Sequence, residues 1–218
     1  MLEVGAGIGT YTQRVLDAGA ASVLALEPEP AVATALEERF GGDARVEVAC
    51  EELLDAPSLQ ASDGQFDLVL CQNVLEHVAD DREALEEIAR VLAPGGWLAL
   101  VVPAHPALYG SLDRAYGHHR RYRREELVRL VGESGLELRA AYPFNLLGVP
   151  GWWLSSRRRA TGLGSGPLRI FDALVPLWRP LERLLRPPWG LSLVVLAQRL
   201  ELTLDLSLSP SPQGGQST

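Results

Sequence analysis

The chain has 218 residues, of which 47% are hydrophobic and 22% are charged, and this balance is typical of a globular protein with a sizeable core. The formal net charge of −8 argues against general binding to the phosphate backbone of nucleic acids. We find neither an apolar run of about 18 residues nor a charged leader followed by an apolar stretch. The sequence therefore predicts no membrane-spanning helix and no signal peptide, and the expected location is cytoplasmic.

Short apolar stretches alternate with helical segments from residue 1 to residue 144. The alternation predicts right-handed crossovers and a doubly wound, mostly parallel α/β sheet that is covered by helices on both faces. Ligands of such sheets bind beyond the carboxyl ends of the strands. In chain order the predicted strands are MLEVGAG, SVLALE, RVEVAC, FDLVLCQN, WLALVVP and LELRAAYPF, and the helices between them are TYTQRVLDAGA, PEPAVATALEERF, DDREALEEIARVLAPGG and RREELVRLVGESG.

The regular alternation stops after Phe144. Residues 145–190 are rich in Pro, Gly, Trp and Arg, and LSLVVLAQRLEL then returns as one more predicted strand. Residues 201–218 are polar and contain proline, so we expect a disordered tail. The sequence predicts a single domain over residues 1–200, with residues 145–190 as an insertion.

Three glycines at alternate positions, Gly5, Gly7 and Gly9, separate the first predicted strand from the first predicted helix. Glycine at this density indicates a strand that turns sharply beneath a ligand. The dinucleotide-binding pattern G-x-G-x-x-G places its third glycine one position later. Glu27 ends the second strand, where a carboxylate can accept hydrogen bonds from both hydroxyls of a ribose. Glu3 lies inside the first strand, which should not bury a polar side chain without a partner.

Four segments extend this pattern along residues 1–140, namely LEVGAGIGT, ALEPEP, FDLVLCQNVLEHVAD and LEEIARVLAPGGWLALVVP. In this order and spacing they resemble the class I S-adenosylmethionine-dependent methyltransferases, and within them the type 11 group of small-molecule enzymes. The resemblance implies a Rossmann-like fold and S-adenosylmethionine as the cofactor. Two other functions stay open, an NAD(P)-dependent oxidoreductase on a similar fold and a non-catalytic scaffold.

The resemblance also implies roles for individual residues. Glu27 would bind the ribose hydroxyls, and Pro28 would lie beside the adenine. The family often has an aspartate after the third strand to meet the adenine amine, but this chain has Cys50 followed by Glu51, to which we assign that contact. The methionine and ribose portion would be lined by Glu3, Gly5, Ala6 and Gly7, and the sulfonium and the methionine end would face Cys71, Gln72 and Asn73.

The chemistry of methyl transfer requires little from the protein. A sulfonium methyl is already activated, so in-line displacement needs mainly an acceptor atom about 3 Å away with its lone pair aligned. A general base is needed only where the acceptor must lose a proton, as a hydroxyl does. We expect a small apolar or lipid-linked acceptor, with oxygen as the favoured target atom, and no nucleic-acid partner.

Two histidines follow predicted strands on the ligand side of the sheet. His77, in NVLEHV after the fourth strand, either lies near the methyl group or holds the loop by hydrogen bonds. His105 follows the fifth strand between two prolines and is interpreted as a solvated loop residue.

The stretch GHHRRYRREEL holds the other two histidines, His118 and His119. It resembles an H-x-R-x-[FY] segment of the type 11 enzymes. His119, Arg121 and Tyr122 either orient the acceptor or anchor the loop, and we favour anchoring. The predicted catalytic residues are His77, His119 and Tyr122.

The insertion over residues 145–190 combines several arginines with Trp152, Trp153, Trp178 and Trp189. In PLRIFDALVPLWRPLERLL the apolar residues recur at spacings of three and four, which indicates an amphipathic helix. Such a segment is typical of an interfacial element whose cations meet lipid phosphates, and peripheral membrane contact is one interpretation. The other is a lid helix that packs on the domain's own core. Both place an apolar cover near the active site.

Class I enzymes usually carry helices before the first strand that close over the cofactor. Here only residues 1–4 precede Gly5, so we expect either that the N-terminal helices are missing or that residues 145–190 supply the cover alone. Cys50 and Cys71 end apolar runs without a metal-ligand spacing, and we expect both to be buried thiols. No metal site is predicted.

Overall fold

The computed structural model describes residues 1–157, 175, 176, 178, 180, 182, 184 and 187–201. Within them one sheet contains β1 (Leu2–Val4), β2 (Val23–Leu26), β3 (Val46–Ala49), β4 (Phe66–Gln72), β5 (Leu92–Pro103), β6 (Leu136–Phe144) and β7 (Ser192–Arg199). The strand order is β3-β2-β1-β4-β5-β7-β6, and β7 runs antiparallel to both neighbours while the other pairs are parallel. The predicted doubly wound, mostly parallel α/β fold is confirmed.

Helices cover both faces of this sheet. They are α1 (Thr10–Asp17), α2 (Pro30–Phe40), α3 (Asp81–Val91), α4 (Ser111–Ala115), α5 (Arg124–Glu133) and α6 (Gly148–Arg157). Side chains alternate between the faces of a strand, and β2 accordingly sends Val23 and Ala25 into a cluster with Leu36 and Phe40 of α2. Its Leu26 lies in the larger core, which α3 and α5 complete on the other face.

The junction between α3 and β5 differs in detail from the prediction, in which Pro94 and the glycine pair end the helix and the next strand begins at Trp97. The helix ends at Val91, and β5 begins at Leu92, which pairs with Phe66 of β4. Pro94 has no N–H to donate, and Gly95 has a φ of 77° that a helix does not contain. The segment therefore joins the sheet.

The insertion leaves and re-enters the sheet at its ligand-binding edge. β6 ends at Phe144, which pairs with Ser192, the first residue of β7. Ser192 also pairs with Pro103, the last residue of β5, because β7 is antiparallel. Both ends of the insertion therefore lie at the carboxyl ends of the parallel strands, where ligands of this fold bind. Most of the predicted amphipathic helix and the predicted tail after Glu201 lie outside the described residues.

Candidate active site

The turn between β1 and α1 favours glycine at three positions. Gly5, Gly7 and Gly9 have φ values of 71°, 56° and 78°, a region that other residues enter only with strain. A Cβ at Gly5 would lie 2.3 Å from Val74 Cγ2, and a Cβ at Gly9 would lie 2.3 Å from Phe40 Cε2. A Cβ at Gly7 would meet no described atom within 4 Å. Gly7 therefore borders open space at the ligand-binding edge, and the other two allow close packing.

Glu27 supports this turn from the end of β2. The residue is only 8% exposed, and its Oε2 accepts a hydrogen bond from the Gly7 amide at 2.8 Å. Its Oε1 accepts one from the Glu29 amide at 3.1 Å. A carboxylate has about four acceptor positions, so the side chain keeps capacity for two ribose hydroxyls.

Glu3 is the buried polar residue of β1, as its place in the strand predicts. It is 3% exposed, and its Oε2 accepts a hydrogen bond from the Thr12 hydroxyl of α1 at 2.7 Å. Burial raises the pKa of Glu3 above its ordinary value. The side chain thus lies between the glycine turn and α1, with one identified partner.

The remaining predicted cofactor residues occupy the ends of β2, β3 and β4. Pro28 is exposed, and Asn73 has a φ of 52° directly after Gln72 at the end of β4. Glu51 accepts hydrogen bonds from the Ser58 amide at 3.2 Å and from its hydroxyl at 2.5 Å. This contact binds Glu51 to a neighbouring turn, and its assignment to adenine stays a prediction.

The two cysteines differ from each other in burial. Cys71 is 1% exposed within the larger core, where burial raises the pKa of its thiol to about 12. Its side chain therefore packs in the core, and its assignment to the sulfonium stays a prediction. Cys50 is exposed, so the expectation of a buried thiol is wrong for this residue. β3 lies at the edge of the sheet, and Cys50 directly follows this edge strand.

Two observations, on Gly7 and on Glu27, indicate that this edge of the sheet fits S-adenosylmethionine. The space beside Gly7 admits a ligand that any larger side chain would displace. The buried Glu27 carboxylate offers free acceptor positions at the tip of β2, where a ribose is expected. When bound, S-adenosylmethionine supplies a methyl group on a positively charged sulfonium.

The H-x-R-x-[FY] segment anchors the connection between β5 and α5. Tyr122 is 2% exposed, and its hydroxyl donates to Asp81 Oδ2 at 3.0 Å and lies 3.3 Å from the Leu75 carbonyl oxygen. Burial raises the pKa of this hydroxyl. Arg121 is 4% exposed, and it donates to Asp113 Oδ1 at 2.6 Å and to the Ala104 carbonyl at 3.0 Å. The geometry favours the anchoring role for both residues.

His77 and His119 lie on the two loops that meet beyond β4. His77 is exposed, and its ring stands edge-on to that of His118 with the centroids 4.8 Å apart. Partial burial, and then the neighbouring His118, lower the pKa of His77. His119 is exposed, and its amide donates to the Glu76 carbonyl at 2.7 Å. Both stay predicted catalytic residues.

His105 is not the solvated residue that its place between two prolines suggested. Its ring stacks on that of Trp189 with the centroids 4.6 Å apart and an angle of 18° between the planes. Its Nε2 is buried and has no hydrogen-bond partner among the described residues. The backbone is held at a φ of 59°, and burial, with a smaller contribution from Arg121, lowers the pKa of the ring. Strain of this kind at a ligand-binding edge is typical of functional residues.

Sequence reasoning missed Glu76 completely. Its carboxylate is fully buried, and neither oxygen has a hydrogen-bond partner among the described residues. Burial raises the pKa of Glu76 to about 7. The residue precedes His77 in NVLEHV, and nothing in the sequence distinguishes it from the exposed glutamates of neighbouring helices.

The helix α6 of the insertion packs against the loops that follow β5. A Cβ at Gly110 would lie 2.5 Å from the Ser156 Cβ of α6, so the two segments are in close contact. The guanidinium of Arg121 lies 4.6 Å from the ring centre of Trp152. The contacts join α6 to the anchored segment, as a lid requires.

A cavity of about 250 Å³ separates α1 from the insertion. It is lined by Tyr11, Arg14, Phe144, Asn145, Leu147, Val175, Trp178 and Glu182. The insertion therefore reaches across the sheet from β6 to the helix that follows the glycine turn. A larger cavity of about 690 Å³ lies against α3 and contains none of the predicted site residues, so we do not assign it to the reaction.

Comparisons with known proteins agree with this geometry. A sequence profile described as "Methyltransferase domain" matches residues 2–100. The chain is 30% identical over 187 residues to a demethylmenaquinone methyltransferase of Clavibacter sepedonicus, and the alignment covers 84% of this chain and 73% of the relative. It is 27% identical over 210 residues to an uncharacterized methyltransferase of Mycobacterium bovis, covering 96% and 76% of the two chains. The solved S-adenosylmethionine dependent methyltransferase from Mesorhizobium loti is similar with a TM-score of 0.64 at 17% identity, covering 91% of this chain and 90% of that one.

The strand order, the glycine turn and the acid at the end of β2 define a class I methyltransferase with a Rossmann-like sheet. The chain belongs to the S-adenosylmethionine-dependent methyltransferase family. The predicted fold, cofactor and class of enzyme are thereby confirmed. Among the described residues, no helix has the length and apolar character needed to cross a membrane.

Proposed function

We propose that this methyltransferase acts on an oxygen atom of a small apolar or lipid-linked acceptor. The observation that carries the proposal is the stacked pair of His105 and Trp189 at the ligand-binding edge. In this pair His105 can accept a proton and Trp189 provides an apolar surface. Methylation of the hydroxyl group of an apolar compound requires both features.

His105 supplies the proton acceptor. A ring whose pKa is lowered is neutral at pH 7, so its nitrogen can receive a proton. The Nε2 atom has no other partner among the described residues, and a hydroxyl of the acceptor would occupy that position. As the carbon–oxygen bond forms and the carbon–sulfur bond breaks, His105 would take up the hydroxyl proton.

The cavity beside α1 supports an apolar acceptor. Most of its lining is aromatic or aliphatic, and only Arg14 and Glu182 bring charged groups. Its volume of about 250 Å³ is near the lower end of the range of about 300–1,000 Å³ for ligand sites. This size suits a small ring system or the reactive head of a longer lipid. The relative from Clavibacter sepedonicus is named for demethylmenaquinone, which is compatible with this class of acceptor.

Exposed aromatic residues at the same edge support a membrane contact that would deliver a lipid-linked acceptor. Trp153, Leu154 and Trp189 are 44%, 42% and 59% exposed. Arg157 lies 4.4 Å from the ring centre of Trp153, so a cation accompanies the apolar surface. Aromatic residues beside arginine favour the boundary between lipid headgroups and acyl chains.

The experiment follows the methyl group from carbon-13-labelled S-adenosylmethionine into a naphthol or the matching naphthylamine. We expect an O-methyl product, which the carbon-13 chemical shift distinguishes from N-methyl and C-methyl products. His105→Asn should lower kcat by about a hundredfold and leave the affinity for S-adenosylmethionine unchanged. Asparagine tolerates the positive φ at this position, so the variant should keep the loop intact.

The pH profile of kcat shows whether His105 acts as a general base or only shapes the pocket. Wild-type kcat should fall as the pH drops through the lowered pKa of His105, since a protonated ring cannot accept a proton; Arg121 is the charged group that contributes to this shift. The asparagine variant should lack this acid limb, and added imidazole should restore part of its turnover. Methylation of the amine or of a ring carbon, or wild-type turnover in the variant, would contradict the proposal.

A further inference from the structure

Glu76 lies in a cluster of side chains that could ligate a metal ion and that the proposed role of His105 does not involve. Its carboxylate is fully buried without a hydrogen-bond partner among the described residues. The His118 Nε2 atom lies 4.0 Å from Glu76 Oε1. One ligand atom each from Glu76, His77 and His118 lie within 4.8 Å of one another. A buried carboxylate without a partner is costly, and a bound cation would offset this cost.

The His118 ring is already oriented for coordination. Its Nδ1 lies 3.0 Å from Asp113 Oδ1, and Asp113 is itself fully buried and paired with Arg121. A carboxylate accepts hydrogen bonds, so Nδ1 is the donor to Asp113, and Nε2 is the ring nitrogen near Glu76. Metal-binding histidines are held by a carboxylate in the same way. Asp113 would therefore act as a positioning residue.

Two loops bring the three ligands together. Glu76 and His77 belong to the short helical turn Leu75–His77 that follows β4, and His118 follows α4. The loops are joined by the hydrogen bond from the His119 amide to the Glu76 carbonyl, 2.7 Å long. The cluster is open to solvent at His77, so an ion can enter from that side.

We propose that Glu76, His77 and His118 bind a divalent transition-metal ion, with Zn²⁺ as the best match to the ligands. Two imidazoles and one carboxylate form a three-ligand set that leaves a coordination position open. Mg²⁺ and Ca²⁺ prefer sites made of oxygen atoms alone. Ligands about 2.0–2.1 Å from a tetrahedral ion lie roughly 3.4 Å apart, so Glu76 and His118 need to approach by only a fraction of an ångström.

The arrangement of charge supports the same conclusion. Arg121, the buried cation of this region, is bound to Asp113 and to the Ala104 carbonyl rather than to Glu76. A divalent ion would compensate the Glu76 carboxylate directly. The proposal does not depend on the identity of the methyl acceptor.

Zinc binding to the full chain tests this proposal without any methyl acceptor. The exposed thiol of Cys50 binds zinc unspecifically, so all proteins would carry Cys50→Ser and no histidine tag. After removal of metal with a chelator, we expect one Zn²⁺ per chain and a higher Tm with Zn²⁺ but not with Mg²⁺. Co²⁺ should bind in its place with the visible absorption of a low-coordinate site.

Substitutions then locate the ion. His77→Asn and Glu76→Gln should each lower the affinity for Zn²⁺ by at least about tenfold. His119→Asn is the matched control, since His119 is exposed, adjacent to His118 and outside the cluster, and it should keep full affinity. His77 is exposed, so its variant should fold normally, and the Tm measured in chelator checks both variants. Absence of zinc binding, binding that survives both substitutions, or loss of binding in the His119 variant would overturn the proposal.

Discussion

The Glu27 carboxylate and the Gly7 amide form a hydrogen bond of 2.8 Å, although the two residues lie 20 positions apart in the chain. The bond joins the tip of β2 to the turn after β1. A single carboxylate thus shapes the glycine turn and retains acceptor positions for a ribose. We therefore predict that the cofactor site depends on Glu27 for its shape as well as for its contacts.

Glu27→Gln should weaken binding of S-adenosylmethionine by at least tenfold. The glutamine amide brings donors to a place where the Gly7 and Glu29 amides already donate, so one contact is lost and the turn is disturbed. Calorimetric titration gives the Kd. Glu29→Gln is the matched control, because this exposed neighbour contributes only its backbone amide. Equal Kd values in the two variants would show that Glu27 does not bind the cofactor.

Gly7→Ala should abolish cofactor binding at a small cost in stability. Its φ of 56° makes alanine strained by about 1 kcal/mol, and the new methyl group would enter the ligand space. Gly19→Ala is the control, since Gly19 has a φ of 97° and also borders open space, but at the far end of α1. Both variants should lose similar amounts of free energy of unfolding. A loss of affinity in both, or in neither, would contradict this placement of the cofactor.

Glu3→Gln should stabilise the protein at neutral pH and weaken its binding of S-adenosylmethionine. Because the pKa of Glu3 is raised in the folded state, folding takes up a proton, and the stability it contributes below its ordinary pKa is lost as the pH rises through the raised value. The glutamine variant lacks this loss. Denaturant unfolding from pH 4 to pH 8 measures the difference, with the exposed Glu47→Gln of β3 as the control. A parallel pH dependence in wild type and Glu3→Gln would disprove the argument.

Tyr122→Phe should lower the free energy of unfolding by about 1 kcal/mol, because it removes the hydrogen bond to Asp81 inside the core. If Tyr122 is an anchor, the substitution should lower the free energy of unfolding and leave kcat unchanged. Tyr116→Phe is the control, since this tyrosine of the same connection is 45% exposed. Unchanged stability together with a large fall in kcat would instead support the predicted catalytic role.

Trp153→Ala should reduce flotation of the protein with anionic liposomes. Trp153 is 44% exposed beside Arg157 at the ligand-binding edge, so its removal takes away apolar surface that a bilayer would bury. Trp97→Ala is matched to it, because Trp97 is 39% exposed but lies within β5, six residues before the carboxyl end of that strand. If the wild-type protein does not float with the liposomes, the interpretation as a membrane contact is wrong, and the insertion is a lid only.

Much of the fold could be predicted because its signals are local. The alternation of apolar strands with helices predicts a parallel sheet, and the glycines of GAGIG can occupy their positive φ values whatever surrounds them. Glu27 was identifiable because the end of a strand is a position that the sequence itself reveals. The place of β7 between β5 and β6 was not predictable, since strand order depends on contacts between distant segments.

The expectations that the structure contradicts concern the burial of two side chains, His105 and Cys50. His105 was expected in solvent because its neighbours are prolines, and it is covered by Trp189 from the far end of the insertion. Cys50 was expected in the core because it ends an apolar run, yet it lies exposed after an edge strand. In both cases burial depends on segments from elsewhere in the chain, which cover His105 and leave Cys50 exposed.

The sequence by itself determined the class of fold, because alternating strands and helices are a local signal, and its resemblance to class I methyltransferases identified the cofactor. It also predicted which residues would hold the cofactor, because glycine conformation and strand ends act over a few residues. Only the tertiary structure brought Glu76, His77 and His118 together and left the Glu76 carboxylate without a partner among the described residues. The physical reason is that the desolvation of a charge depends on every segment that packs around it, and here these are two loops separated by β5.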